Sequence, residues 1–197
     1  MSRVFVAVGT DVHPFDRLVG LMDEWGSAHP EALCFVQYGT STAPSRCDGA
    51  DFLPHEELSE RIRDADIVVT HGGPATITEV WAAGRVPLCM PRDPAFGEHV
   101  DGHQQRFARS LAGHGRLILA EDSESLGSAL DSALADPSSL LLDGSSRSPV
   151  GTSVGRAGEL IGELLAQSAD PGEVPSGAVQ RVRHRWRRHR PRRLRRR

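Results

Sequence analysis

The chain contains no lysine. That excludes a P-loop of the GxxxxGK[ST] type, and it excludes any Schiff-base lysine, including one that would carry pyridoxal phosphate. No apolar run approaches the ~18 residues that a membrane-spanning helix needs. The opening residues, MSRVFVAVGT, pass straight into a strand without the long apolar region and small-residue cleavage site of a signal peptide. A cytoplasmic location is therefore expected. Cysteine is scarce. Cys34, Cys47 and Cys89 are widely spaced and odd in number, and two of them sit in apolar runs, which favours reduced, buried thiols over a disulfide framework.

What is present divides into two parts. The length of 197 residues, at 39% hydrophobic, suffices for one domain with a substantial core and some surplus. The net charge of -3 conceals a sharp asymmetry: 11 of the 23 basic residues lie in 181–197, leaving 12 arginines against 26 acids, or -14, for the rest. The tail, VQRVRHRWRRHRPRRLRRR, is expected first as a solvated extension. Contact with anionic lipid, at about 1 kcal/mol per arginine near the surface, comes second, and non-specific nucleic-acid binding third. Pro191 and the lack of an apolar stripe oppose an ordered amphipathic helix.

Strand and helix patterns alternate from the start. RVFVAV (3–8) reads as a strand, and Pro14 opens a helix with the stripe Phe15, Leu18, Val19 and Met22. Strands follow at Leu33–Tyr38 and Asp51–Leu53, then a helix over 55–64 with Leu58 and Ile62 inward. A strand at 67–69, a helix from Pro74, strands at Val86–Met90 and Arg116–Ala120, and a helix from Ser123 to Leu134 with Ser123 as N-cap complete the pattern. This βαβα order predicts an α/β fold, an open parallel sheet with helices on both faces and ligands beyond the carboxyl ends of the strands. The domain is expected over 1–135, a linker and a helix (156–167) over 136–170, and a disordered arginine-rich tail over 171–197.

The chemistry concentrates in DIVVTHGGPATITE, residues 66–79. A β-branched run ends in Gly72 and Gly73, which permit a tight turn, and Pro74 suits the first helical position. The unpaired N–H groups of the new helix would face the carboxyl edge of the sheet, a place suited to a phosphate or diphosphate. Ile77, Val80, Trp81 and Gly84 form the inward stripe, which leaves Thr76 and Glu79 on an open face. A carboxylate there can accept hydrogen bonds from ribose hydroxyls, or it can merely complement the helix dipole.

Two loops at the same edge add groups. GTDVH supplies Thr10, Asp11 and His13, and His13 is the histidine best placed for general-base work, although such loops often carry these residues only because they are solvated. PRDPAFGEHVDGHQ, residues 91–104, is long for its position and polar. Gln104 begins the buried stripe of the next helix, Phe107, Ala108, Leu111 and Ala112, and so stands at the cleft. His99 and His103 have i, i+4 spacing with Glu98 and Asp101 nearby, but Gly102 interrupts them and the HExxH order is absent, so no metal is expected.

HGGPATITE, GRVPLCMPRD and EHVDGHQQRFARSLAGHG, with the opening VAVGTDVHPFDRLV, resemble the carboxyl-terminal half of the family 28 glycosyltransferases over roughly residues 3–135. The likeness is greatest to the small stand-alone members, the Alg13-like subunits and the PssE/EpsE-like proteins of exopolysaccharide assembly. The resemblance implies a Rossmann-like open parallel sheet, the single C-terminal-type half of a GT-B glycosyltransferase, binding a UDP-sugar donor without cofactor or metal. By position, Gly72, Gly73 and Thr76 would lie at the diphosphate, and Glu79 at the ribose. Gln104 with His103 would approach the sugar, Gly9 and Thr10 would close the phosphate side, and His71 would orient the loop. Ala75 stands where many members have glycine or serine. The acceptor half, and with it the base unless His13 serves, would come from a membrane-anchored Alg14/PssD-like subunit, and the acceptor would be lipid-linked. A nucleotide-sugar epimerase-like enzyme and a non-catalytic UDP-sugar-binding regulator are the alternatives.

Overall fold

A computed structural model of the chain describes residues 1–142, in which strands and helices alternate as expected. The strands are β1 (Ser2–Ala7), β2 (Ala32–Gln37), β3 (Asp48–Ala50), β4 (Ile67–Thr70), β5 (Leu88–Cys89) and β6 (Ile118–Leu119). The α-helices are α1 (Asp16–Ala28), α2 (His55–Asp64), α3 (Pro74–Ala82), α4 (His103–Gly113) and α5 (Ser123–Ala135). The helix expected at 156–167 and the arginine tract lie outside the described residues.

All six strands are parallel, in the order β3-β2-β1-β4-β5-β6. That is the doubly wound Rossmann order, in which the winding reverses between β1 and β4 and a crevice opens beyond their carboxyl ends. Side-chain alternation along β1 feeds both faces. Val4, Val6 and Val8 pack with Phe15, Leu18 and Met22 of the α1 side and with Leu126 and Leu130 of α5. Phe5 and Ala7 pack on the other face with Ile62 of α2 and Val80 of α3, beside a third cluster of Ile77, Phe107 and Leu111. Each face is thus closed by helices.

Several boundaries differ from expectation, each for a local reason. The edge strand is 48–50 rather than 51–53, because Phe35, Val36 and Gln37 pair with Asp48, Gly49 and Ala50. Asp51 then turns the chain away, its carboxylate accepting from the Phe52 amide, and Phe52 is left 47% exposed. α1 begins at Asp16, after a turn in which the Phe15 amide donates to Ser41 Oγ at 2.8 Å. α5 is capped by Asp122 rather than Ser123: its extended backbone lets the carboxylate accept from Ser125 N in a capping box. Val86 donates to Leu140 O instead of extending β5, and residues 137–140 form a 3-10 turn whose Leu140 is fully buried against the body.

Candidate functional site at the β1–β4 crevice

The turn from β4 into α3 is built around glycine. Gly72 has φ +94, a left-handed conformation, and Gly73 is the N-cap with Pro74 at the first helical position. No side chain caps α3. Its first-turn N–H groups and dipole therefore face the crevice unmet. Across from Gly72 stands Gln104: a β-carbon on Gly72 would lie 3.9 Å from Gln104 Cβ. Gln104 is 7% exposed, and its Oε1 is buried without a hydrogen-bond partner. An orphaned buried acceptor costs about 1–3 kcal/mol unless a donor meets it.

His71 is the packing centre of the turn. Its ring Nδ1 lies 3.2 Å from Ala7 O. It fills the space beside Gly9 and Gly73, where added β-carbons would fall 2.6 Å from Cε1 and 2.4 Å from Nε2. Burial away from water drives its pKa down to about 4, so the ring is neutral at pH 7. With Nδ1 donating to Ala7, Nε2 carries the lone pair. Gly9, at φ +82, is also gripped by Gln37, whose Oε1 accepts from Gly9 N at 3.1 Å while its Nε2 donates to Gly9 O and Asp51 O. The Gly9 amide is therefore taken, and its part is to shape the wall. Thr10 is exposed at the mouth.

The β1–α1 loop and the loop before α4 meet in a cluster of ionisable side chains. Asp11 Oδ1 lies 2.6 Å from His13 Nδ1 and also accepts from the His13 amide. Burial opposes ionisation of Asp11, but these bonds and the nearby Arg92 charge outweigh it and hold the carboxyl below its ordinary range. The other carboxylate oxygen of Asp11 is 3.4 Å from His99 Nε2. The His99 ring stands edge-on to His103, centroids 4.7 Å apart. His99, Asp101 and His103 come together, with one ligand atom of each within 4.8 Å of the others. The helical i, i+4 spacing is not the cause, since α4 starts only at His103. Asp101 accepts from both the amide and the ring of His103.

Sequence reading missed the residue that holds these loops. Arg92 is 1% exposed, its guanidinium 4.9 Å from the centre of the Phe15 ring. Nη1 donates to His13 O and Glu98 O, and Nη2 to Val8 O. Glu98, 3% exposed, is gripped in turn by Arg17 through Nε at 2.9 Å and Nη2 at 2.8 Å, and it accepts from Asp93 N. The available signal was the charged pair Arg92 and Glu98 in a loop between two buried elements.

Glu79 projects from α3 with its side chain 27% exposed. The face it shares with Thr76 is not open as expected, because α2 stands across it. Ser59 Oγ donates to Glu79 at 3.2 Å, and His55 Nδ1 is 3.6 Å away. The carboxylate keeps acceptor capacity for two further donors on its exposed side. Gly72, Gly73, His71 and Gln104 thus form one wall and floor, with His103, His13 and Asp11 to one side and Thr76 and Glu79 further along α3.

Comparison with known proteins gives a concordant result. Residues 3–149 match the model described as the glycosyltransferase family 28 C-terminal domain. A UDP-N-acetylglucosamine--N-acetylmuramyl-(pentapeptide) pyrophosphoryl-undecaprenol N-acetylglucosamine transferase from Cupriavidus metallidurans is 30% identical over 114 residues, covering 58% of this chain and 31% of the relative. The protein of that name from Xanthomonas euvesicatoria is 32% identical over 122 residues, covering 59% and 26%. The chain therefore spans less than a third of the length of these relatives. Among solved structures, the glycotransferase of kitacinnamycin superposes with TM-score 0.54 at 20% identity, covering 85% of this chain and 40% of that one. CalG4, the calicheamicin glycosyltransferase, does so with TM-score 0.53 at 16% identity, covering 86% and 42%. The shared fold corresponds to one Rossmann-like half of these GT-B enzymes.

Proposed function

The chain belongs to the glycosyltransferase family 28 C-terminal domain family, and from that premise we propose that it is the donor-binding part of a transferase that moves a sugar from a UDP-sugar to a lipid-linked acceptor. The observation that carries this reading is the pairing of an uncapped α3 N-terminus with the orphaned Gln104 Oε1 across Gly72. One is a place for diphosphate and the other for a sugar hydroxyl. The names of the relatives supply the donor class and the acceptor class.

In this reading the α3 N–H groups stabilise the charge that builds on the leaving diphosphate, without a metal. Thr76 adds a hydroxyl beside them, and Gly72 and Gly73 allow the close approach. Glu79 accepts from the ribose, with Ser59 fixing its orientation. Gln104 and His103 read the sugar. Asp11 orients His13 through the 2.6 Å contact, so His13 is the group of this chain best placed to take the acceptor proton. His71, neutral and enclosed, is a positioning residue for the glycine turn.

The relatives are more than three times as long as the matched segment, and the acceptor side of the cleft is to be supplied by a second polypeptide, membrane-anchored and carrying the complementary half. Among the described residues no helix is long and apolar enough to cross a membrane. The test is transfer from radiolabelled UDP-sugars to a membrane lipid extract, by the chain alone and together with membranes holding such a partner. Product is expected only in the second case. Transfer by the chain alone would remove the two-component reading, and conversion of the donor sugar without transfer would favour the epimerase alternative.

A further inference from the structure

Cys34 lies on β2, and Cys47 is the residue before β3. The parallel register pairs Phe35 with Asp48, and continued one residue back it sets Cys34 opposite Cys47. Neighbouring strands run about 4.8 Å apart, within the ~4.4–6.8 Å Cα separation that a disulfide accepts. Both side chains pack beside Gly26 of α1, where an added β-carbon would lie 2.5 Å from Cys47 Sγ, 3.2 Å from Cys34 Cβ and 3.8 Å from Cys34 Sγ. Glycine at that position leaves the room that the two thiols occupy. Cys47 Sγ donates to Met22 O at 3.4 Å. Both cysteines are half-buried and line a groove of about 970 Å³ at the amino end of the sheet, with Arg3, Asp48, Glu57 and Arg61 on its walls.

We infer that Cys34 and Cys47 form a thiol pair that reacts with small disulfides entering this groove and closes to an intramolecular Cys34–Cys47 disulfide. Interaction with the Cys34 thiol favours the thiolate on the less buried Cys47 against burial and the nearby Asp23 charge, while that interaction and deeper burial push the Cys34 thiol up. Cys47 is thus the attacking sulfur. It displaces one glutathione thiolate from oxidised glutathione and forms a mixed disulfide. Cys34 then loses its proton, attacks Cys47 Sγ and expels the second glutathione thiolate. Two protein thiols are oxidised, one small disulfide is reduced to two thiols, and the two protons released pass to solvent or to the leaving thiolates. The bond would pin the end of segment 39–47, whose Thr40 and Ser41 brace the β1–α1 loop. This inference does not rest on the transferase reading.

The full chain, incubated with oxidised glutathione and then alkylated, is to be weighed intact and mapped by peptides. The expected product has lost two hydrogens, joins the peptides of Cys34 and Cys47, retains Cys89 as a free buried thiol, and returns to the starting mass with dithiothreitol. In Cys34→Ser the reaction should stop at glutathione on Cys47, and in Cys47→Ser the modification of Cys34 should slow by roughly tenfold or more. Three alkylated thiols after oxidation, a stable glutathione adduct on the parent chain, or a disulfide joining two chains would each overturn the proposal. Serine is close in size to cysteine, and circular dichroism of both variants verifies that their folds match the parent.

Discussion

The ring of His71 occupies the volume that a β-carbon on Gly73 would need, with Nε2 only 2.4 Å from that point. Gly73 has an ordinary extended conformation, φ -68, so its glycine is a matter of space rather than of backbone freedom. Gly73→Ala should force His71 out of its place against Ala7 O. The expected loss is about 1–3 kcal/mol of stability, as for other overpacked interiors, together with weaker nucleotide binding. Urea unfolding of the variant beside His71→Ala checks the cause, because the penalty at residue 73 should shrink once the ring is gone.

His71 also makes a pH prediction. Its folded pKa of about 4 lies below the ordinary 6.5, so between these values the unfolded chain holds a proton that the folded chain lacks. Stability is therefore full above pH 6.5 and falls as the pH drops toward 4, by about 3 kcal/mol for this group. Asp23, held down to about 2 by amide and hydroxyl donors from 45–47 that outweigh its burial, acts only at lower pH, from its ordinary 3.8 downward. Denaturant midpoints from pH 7 to 4 should slope downward in the parent and flatten in His71→Gln.

Arg92 is expected to matter more for the fold than for binding. Its fork reaches the carbonyls of Val8, His13 and Glu98 from one plane, a geometry that an ammonium group cannot reproduce. Arg92→Lys should cost about 3 kcal/mol and loosen the loop that carries Asp11 and His13. Thermal unfolding measures the first effect, and hydrogen exchange over residues 9–15 the second.

Much of this architecture was legible in the sequence, because hydrophobic period and glycine position carry it. The β4–α3 junction, the extent of α2 and the buried place of Gln104 follow from alternation, Pro54 and Pro74, and the stripe of α4. What was not legible depends on partners far apart in the chain. The choice of 48–50 as the edge strand is made by its pairing with β2. The Arg17–Glu98 pair spans 81 residues, and Arg92 meets His13 across 79. The closure of the Glu79 face by Ser59 is likewise a contact between two helices that amphipathic phasing treats one at a time.

Under the proposed reading, a change at Gln104 should separate sugar recognition from nucleotide recognition. Gln104 Oε1 has no hydrogen-bond partner, so under the proposed reading Gln104→Ala should weaken binding of the intact UDP-sugar by about tenfold, one good hydrogen bond, and leave UDP itself within about twofold. Competition of UDP and UDP-sugars for a fluorescent UDP analogue gives both constants in one experiment.

The central claim is that the β1–β4 crevice holds a uridine nucleotide with its ribose at Glu79. Isothermal titration of the full chain with UDP, parent against Glu79→Ala, tests it most directly. Saturable binding by the parent, weakened roughly tenfold or more in the variant by loss of charge-assisted hydrogen bonds, is the predicted result. Absence of binding to the parent, or equal affinity in the two proteins, would contradict it.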